Sequence, residues 1–223
     1  MKIGVAIPTY KGHLHVLDRC LTSIENQTRK PDIVSISASS CQNLPDLTKY
    51  SFPIKFACTP LGQNAAQNRN TAASLLENDK IDILSFFDGD DEMLPTRLEF
   101  IERAFNETSS VLIVHNYVTM RSPSDASTPT LTEYELYPNS VVPTPGDVGT
   151  HFSGQLSNRN LHHGHPSVLY HIWQHNKYEE GSNFLFKEDS VFCQRIATKF
   201  RECSYIHTEL SVYHQYRSTN PSP

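Results

Sequence analysis

A chain of 223 residues has room for one α/β domain with a full core, or at most two small ones. Its net charge of -5 and pI near 6.1 leave no electrostatic footprint for nucleic acid or an anionic membrane, so a phosphate-bearing ligand needs a local cation. The 38% hydrophobic content and mean hydropathy of -0.44 suit a soluble protein, and no apolar run approaches the roughly 18 residues of a membrane span. The first residues, Met1 to Pro8, are too short and too soon broken by proline for a signal peptide, and read as a strand ending at Pro8. Leu14, Leu17, Leu21 and Ile24 then recur at helical spacing. Strands follow at Ile33 to Ser37 and Ile54 to Cys58, and an alanine-rich helix at Ala65 to Leu76. Ile81 to Phe87 is short, apolar and aromatic-ended, as a buried strand is. Pro95 opens a helix carrying Leu98, Ile101 and Phe105, and Val111 to Val118 is a fifth strand. This order predicts a mostly parallel central sheet flanked by helices.

The second half has a different texture. Arg121 to Gly154 is rich in Pro, Ser and Thr and reads as a long loop, with a short strand at Thr132 to Tyr137. Pro166 to His171 reads as a strand and Glu188 to about Lys199 as a helix whose first-turn carboxylates suit its dipole. The alternation from Ser211 to Arg217 makes a last strand. Five cysteines, Cys20, Cys41, Cys58, Cys193 and Cys203, form no Cys-x-x-Cys pair and read as reduced thiols of a cytoplasmic protein. The cluster His162-His163-Gly164-His165 admits a structural zinc site, although no cysteine lies near it in sequence.

Three constellations carry chemistry. Asp88-Gly89-Asp90-Asp91 follows the Ile81 to Phe87 strand, and carboxylates crowded there repel one another unless a cation joins them. Hard oxygen ligands on a short turn suit Mg²⁺ or Mn²⁺, which commonly share their coordination with phosphates. A calcium loop counted from Asp88 fails, because Met93 stands where glycine is required and Pro95 follows. The second constellation is Gly62 to Asn70, a helix start that brings Arg69 and Asn70 beside the sheet. The third is Glu188-Asp189, where a carboxylate near a cleft can accept a proton from a hydroxyl.

Taken in order, Ile7-Pro8-Thr9-Tyr10, Leu21 to Thr28, Arg69-Asn70, Phe87 to Asp91 and Glu188-Asp189 closely resemble the family 2 nucleotide-sugar glycosyltransferases of GT-A fold. The resemblance implies a single domain over 1–223, with a nucleotide-sugar-binding half (1–120) and an acceptor and catalytic-base half (121–223). It implies that Pro8, Thr9 and Tyr10 line the nucleobase and ribose pocket, that Arg69 borders it, and that Asp88 and Gly89 approach the ribose. Asp90, with Asp88, would bind the Mn²⁺ or Mg²⁺ that bridges the diphosphate, and Asp91 would support the turn. Asp189 resembles the base that deprotonates the acceptor hydroxyl, with Glu188 as second candidate; His214 or Arg217 would help hold metal or diphosphate. The implied partners are a donor, UDP-sugar favoured, and a glycan or glycoconjugate acceptor under the Arg121–Gly154 loop and the His162–His165 segment. Where the family carries an acidic pair after its second strand, this chain has Ser37-Ala38-Ser39-Ser40. Two other readings use the same residues: a retaining transferase or nucleotidyltransferase on this fold, or a non-catalytic nucleotide- or carbohydrate-binding module.

Overall fold

Residues 1–125, 128–141, 164–181 and 187–215 are described by a computed structural model. Their backbone is organised by a nine-stranded sheet in the order β3-β2-β1-β4-β8-β6-β9-β5, with β7 attached to β9. Strand β1 (Ile3–Tyr10) lies inside it, paired in parallel with β2 (Ile33–Ser39) and β4 (Ile83–Phe86), and β2 carries β3 (Ile54–Thr59) on its far side. A strand with neighbours on both sides and helices on both faces has no solvent face, so β1 is buried along almost its whole length. Ile3, Val5 and Ile7 point to one face and Ala6 to the other. Gly4 also belongs to the second face: a Cβ there would stand 2.7 Å from Ile81 Cδ1 and 2.8 Å from Leu76 Cδ1.

Two cores fill the faces. Helices α1 (Leu17–Glu25) and α3 (Arg97–Glu107) place Leu17, Leu21, Ile24, Leu98, Ile101 and Phe105 against the first. On the second, α2 (Ala65–Ser74), α4 (Tyr170–Gln174) and α5 (Glu188–Phe200) bring Ala72, Ala73, Trp173, Phe192 and Ile196 together. The alanines let α2 lie close to the sheet. This is the α/β domain the sequence leads one to expect, with helices on both sides of a mixed, mostly parallel sheet.

The second half builds its strands differently from the expectation. Only Ser167–Leu169 (β8) of the stretch from Pro166 to His171 is strand, and Tyr170 already begins α4. β8 inserts antiparallel between β4 and β6 (Leu112–Met120), with Ser85 and Ser167 paired across the ladder and their hydroxyls 2.9 Å apart. The last strand, β9 (Cys203–His214), starts eight residues before Ser211 and runs parallel to β6 through two irregularities around Asn116. It also receives the two-residue strands β5 (Glu92–Met93) and β7 (Leu136–Tyr137). Pro95 precedes α3 rather than opening it; its carbonyl accepts the Thr28 N–H at 2.9 Å, which draws it out of the helical path. Arg217, His162, His163 and part of the loop expected from Arg121 to Gly154 (126–127 and 142–154) lie outside the described residues. All five cysteines are free thiols, and no described helix is long and apolar enough to cross a membrane.

Ile101 is fully buried in the first core, away from the acidic turn. Ile101→Ala is expected to lower unfolding free energy by about 2–5 kcal/mol in a urea titration, through lost burial and the cavity left behind.

Candidate active site

The parallel strands β1, β2 and β4 all end on one side of the sheet, and the acidic turn leaves β4 there. Two backbone bonds lay the turn across the end of β1: Phe87 N donates to Ala6 O (3.0 Å) and Gly89 N to Pro8 O (3.3 Å). The approach is close. A Cβ on Gly89 would come within 3.0 Å of Thr9 Cβ and 3.1 Å of its hydroxyl, so glycine is the residue that fits.

Arg69 reaches this turn from α2. Its Nη2 donates to both Asp88 oxygens, at 2.8 and 3.2 Å, and its Nη1 to Glu188 Oε1 at 2.6 Å. One buried guanidinium thus ties the turn to the first residue of α5. The helix that presents it is well anchored: Asn64 and Gln67 form a reciprocal capping box, and Asn70 holds Tyr178 through its backbone N–H (3.0 Å) and carbonyl (2.9 Å). Tyr178 in turn lies beneath Arg69, its ring centroid 5.6 Å from the guanidinium carbon. Asp189 follows Glu188 in the first turn of α5, where its Oδ1 accepts the Ser190 N–H at 2.6 Å. It stands near enough to Asp88 and Arg69 to act on the ionisation of both. Arg195 turns elsewhere, to Glu179 (2.6 Å) and the Asn176 carbonyl (3.1 Å).

A second cluster adjoins the first. Asp91 is almost fully buried; one of its oxygens accepts the His214 N–H at 2.9 Å and the other stands 3.0 Å from His165 Nε2. His165, fully buried, stacks on Phe87 at 4.1 Å, reaches Ser211 Oγ at 3.2 Å through Nδ1, and lies 4.0 Å from Asp88 Oδ2. Ligand atoms of Asp88, Asp91 and His165 all fall within 4.8 Å of one another, so these three residues could hold a metal ion. Asp90 points towards the other edge, its Oδ2 3.4 Å from His13 Nδ1, and its carbonyl accepts from Arg19. The His214 ring pairs with Glu92 at 2.7 Å.

The chemistry of the donor set fits a divalent cation. Burial pushes the Asp88 carboxyl up to about 7; Asp90 and Asp189 push the same way, while Arg69 pulls against them. Burial, then Asp90 and Asp88, hold Asp91 well above the ordinary carboxylate range. Burial is the larger cause of both shifts and the neighbouring carboxylates add to it; a cation bound by two carboxylates and an imidazole would favour the ionised forms.

At the β1 and β2 ends the site is neutral. Asn68 receives the Ser37 hydroxyl (2.9 Å) and donates to Thr9 O (3.1 Å) and Ser39 Oγ (3.0 Å). Thr9 is buried, whereas Tyr10 is 46% exposed with its ring 4.2 Å from that of His13. The geometry therefore brings Asp88, Arg69 and Glu188 into direct contact, with Asp189 near them and Pro8 touching the turn through its carbonyl. The Asp91–His165 pair is an addition to the expected set: nothing local distinguishes His165 from His162 and His163, and only the β8 insertion carries it there.

The chain's residues 4–202 match the family described as Glycosyl transferase family 2. No curated protein matches. Among solved structures, that of S. aureus TarS 1-349 in complex with UDP is similar at a TM-score of 0.70 and 15% identity, over 96% of this chain and 60% of that one. The complex of S. aureus TarS 1-349 with UDP-GlcNAc gives a TM-score of 0.68 and 13% identity, over 100% and 62%. At these identities the likeness is one of fold, the GT-A fold, and the chain spans about 60% of the length of TarS 1-349.

Below a pKa of about 7 Asp88 carries a proton that an incoming cation must displace; above it the carboxylate is already free. Cation binding should therefore strengthen as pH rises through neutrality. Millimolar Mn²⁺ is expected to raise the melting temperature more at about pH 8 than at about pH 5.5. Equal shifts at both would remove Asp88 from the binding set.

Proposed function

The chain belongs to glycosyl transferase family 2, and from that membership and the site's geometry we propose that it transfers a sugar from a nucleoside-diphosphate sugar to an acceptor hydroxyl. The observation that carries this reading is the Arg69 bridge from Asp88 to Glu188. It joins the turn suited to a donor diphosphate to the helix start that presents a general base. The UDP and UDP-GlcNAc held by the similar TarS structures support a UDP-sugar as donor. In this proposal residues 1–120 bind the donor and residues 121–223 supply the acceptor site and the base; the acceptor is a glycan or glycoconjugate.

Pro8, Thr9 and Tyr10 then line the nucleobase and ribose pocket, with Asp88 and Gly89 next along the ligand. Asp88 and Asp91 with His165 are the residues that would hold Mn²⁺ or Mg²⁺; Asp90, whose carboxylate is turned to His13, and His214 and Arg217 of the tail are further candidates for the same region. A divalent ion there, when bound, offsets the negative charge of the departing nucleoside diphosphate. The chain's own part is to bind, orient and move one proton. Glu188 is engaged by Arg69 at 2.6 Å, which leaves Asp189 to accept the proton of the attacking hydroxyl. Attack from the α5 side on a sugar whose leaving group lies at the β4 turn gives inversion at the anomeric carbon.

Two measurements test this. A thermal-shift panel of UDP-, GDP-, CMP- and dTDP-sugars with and without Mn²⁺ should single out the UDP donor with metal, adding about 2.7 kcal/mol at a hundredfold its Kd; silence across the panel sinks the proposal. Asp189→Asn should keep that shift while turnover falls by about 10²–10⁴-fold. Undiminished turnover would take the base role away from Asp189, and an NMR assignment of the product anomer decides between inversion and retention.

A further inference from the structure

Arg97, the first residue of α3, is fully buried directly behind the acidic turn. Charged side chains are almost never found in that position without a counter-charge. Each of its N–H groups nevertheless has an acceptor. Nε donates to His115 Nε2 (3.1 Å), Nη1 to Ser85 Oγ (2.8 Å) and Met93 Sδ (3.8 Å), and Nη2 to the carbonyls of Phe86 (3.2 Å) and His165 (3.0 Å). The acceptors are neutral. His115 is a free-base acceptor because its Nδ1 lies 2.8 Å from the Asn116 carbonyl, which can only accept; the ring proton is therefore on Nδ1. Burial and the Arg97 charge also push the His115 pKa down to about 3. Burial brings Arg97 itself to about 9, which leaves it a cation at neutral pH.

The two carbonyls on Nη2 belong to the two segments that make the metal cluster. Phe86 is the last residue of β4, two before Asp88, and His165 is itself a member. The side chains continue the connection, since the guanidinium lies 5.0 Å from the Phe87 ring and that ring stacks on His165. We propose that Arg97 is a positioning residue for cation binding: by gripping the Phe86 and His165 carbonyls with one nitrogen, it sets the separation of Asp88 and Asp91 from the His165 imidazole. The inference rests on the reading that these three residues hold the divalent ion.

Lysine keeps the charge but has no fork with which to hold two carbonyls and three lateral acceptors at once. Ser85→Ala is the matching control. It removes a buried hydroxyl bonded to both Arg97 and Ser167, yet leaves the grip on Phe86 and His165. Free Mn²⁺ is counted by EPR during titration of the full chain in the presence of UDP, with the melting temperature of every variant recorded. Arg97→Lys should weaken Mn²⁺ binding by about 10–100-fold, as loss of a partner that orients a metal ligand does, while Ser85→Ala stays within about twofold of wild type. An unchanged affinity in Arg97→Lys, or an equal loss in Ser85→Ala, overturns the inference.

The ring nitrogens of His165, observed by ¹⁵N NMR without metal and assigned with His165→Gln, give an independent reading. They should shift in Arg97→Lys and hold still in Ser85→Ala. If wild type takes up no Mn²⁺ the functional reading fails, and the imidazole signal alone decides: no shift in Arg97→Lys overturns the positioning role. Should Arg97→Lys not fold, His115→Gln, which moves the seat of Nε and spares the guanidinium, carries the same comparison with a several-fold loss expected.

Discussion

The site depends on one ion-paired buried cation, Arg69, held between carboxylates that come from distant parts of the chain. Asp88 is 19 residues from it and Glu188 is 119. Burial alone would lower the Arg69 pKa, but Asp88, Tyr178, Asp189 and Glu188 reverse this and hold it above its ordinary value. Such an arrangement stabilises little in net terms, since desolvating the three groups offsets most of their attraction. What it provides is register. Removing one partner leaves an uncompensated buried charge at a cost of about 3–5 kcal/mol, so the start of α5 is confined to the place where Glu188 meets Arg69. Asp189 inherits its position from that confinement.

The same electrostatics govern the acidic turn. Arg69 answers part of the charge on Asp88, and Arg19 touches both the Asp90 carbonyl and Glu92. Asp88 and Asp91 are nonetheless displaced upward in pKa, first by burial and then by the carboxylates beside them. The fold keeps them together through the backbone instead. Gly89 lies flat against β1, Asp91 takes the His214 N–H from β9, and Arg97 grips the segments from behind. Strands from both halves of the chain converge on four consecutive residues, and that convergence is the architecture's contribution to the chemistry.

Much of the first half could be read from the chain because its signals are local. β1 to β4, α1 and α2 follow apolar runs and helical spacing. The acidic turn is legible because a buried strand precedes it, and Arg69 and Glu188 gain meaning once an ordered set of motifs is recognised. The second half hides its logic in tertiary pairing. β8 is three residues long and antiparallel among largely parallel neighbours, so no periodicity announces it. β9 alternates weakly, because both faces are covered and its pairing with β6 slips at Asn116. Arg97 carries no local signal of its burial, which depends on the simultaneous presence of His115, Ser85, Met93 and two carbonyls. His165 is indistinguishable by composition from two histidines just before it.

Charge is not distributed evenly along the site, and the unevenness bears on what it accommodates. Under the ends of β1 and β2 the polar atoms are spent on one another: Asn68 gives both amide protons, to Thr9 and Ser39, and takes the Ser37 hydroxyl. The stretch Ser37-Ala38-Ser39-Ser40 brings no carboxylate of its own to this end. That end therefore offers an uncharged wall and the open Tyr10 ring, which suit a flat, neutral group. At β4, Asp88 and Asp91 crowd together with His165 in an arrangement that could hold a cation, and a bound cation would attract phosphate. A ligand neutral at one end and polyanionic at the other matches this gradient in a single orientation. That orientation points its far end at α5, where Asp189 stands beside Glu188, the carboxylate that Arg69 ties to Asp88.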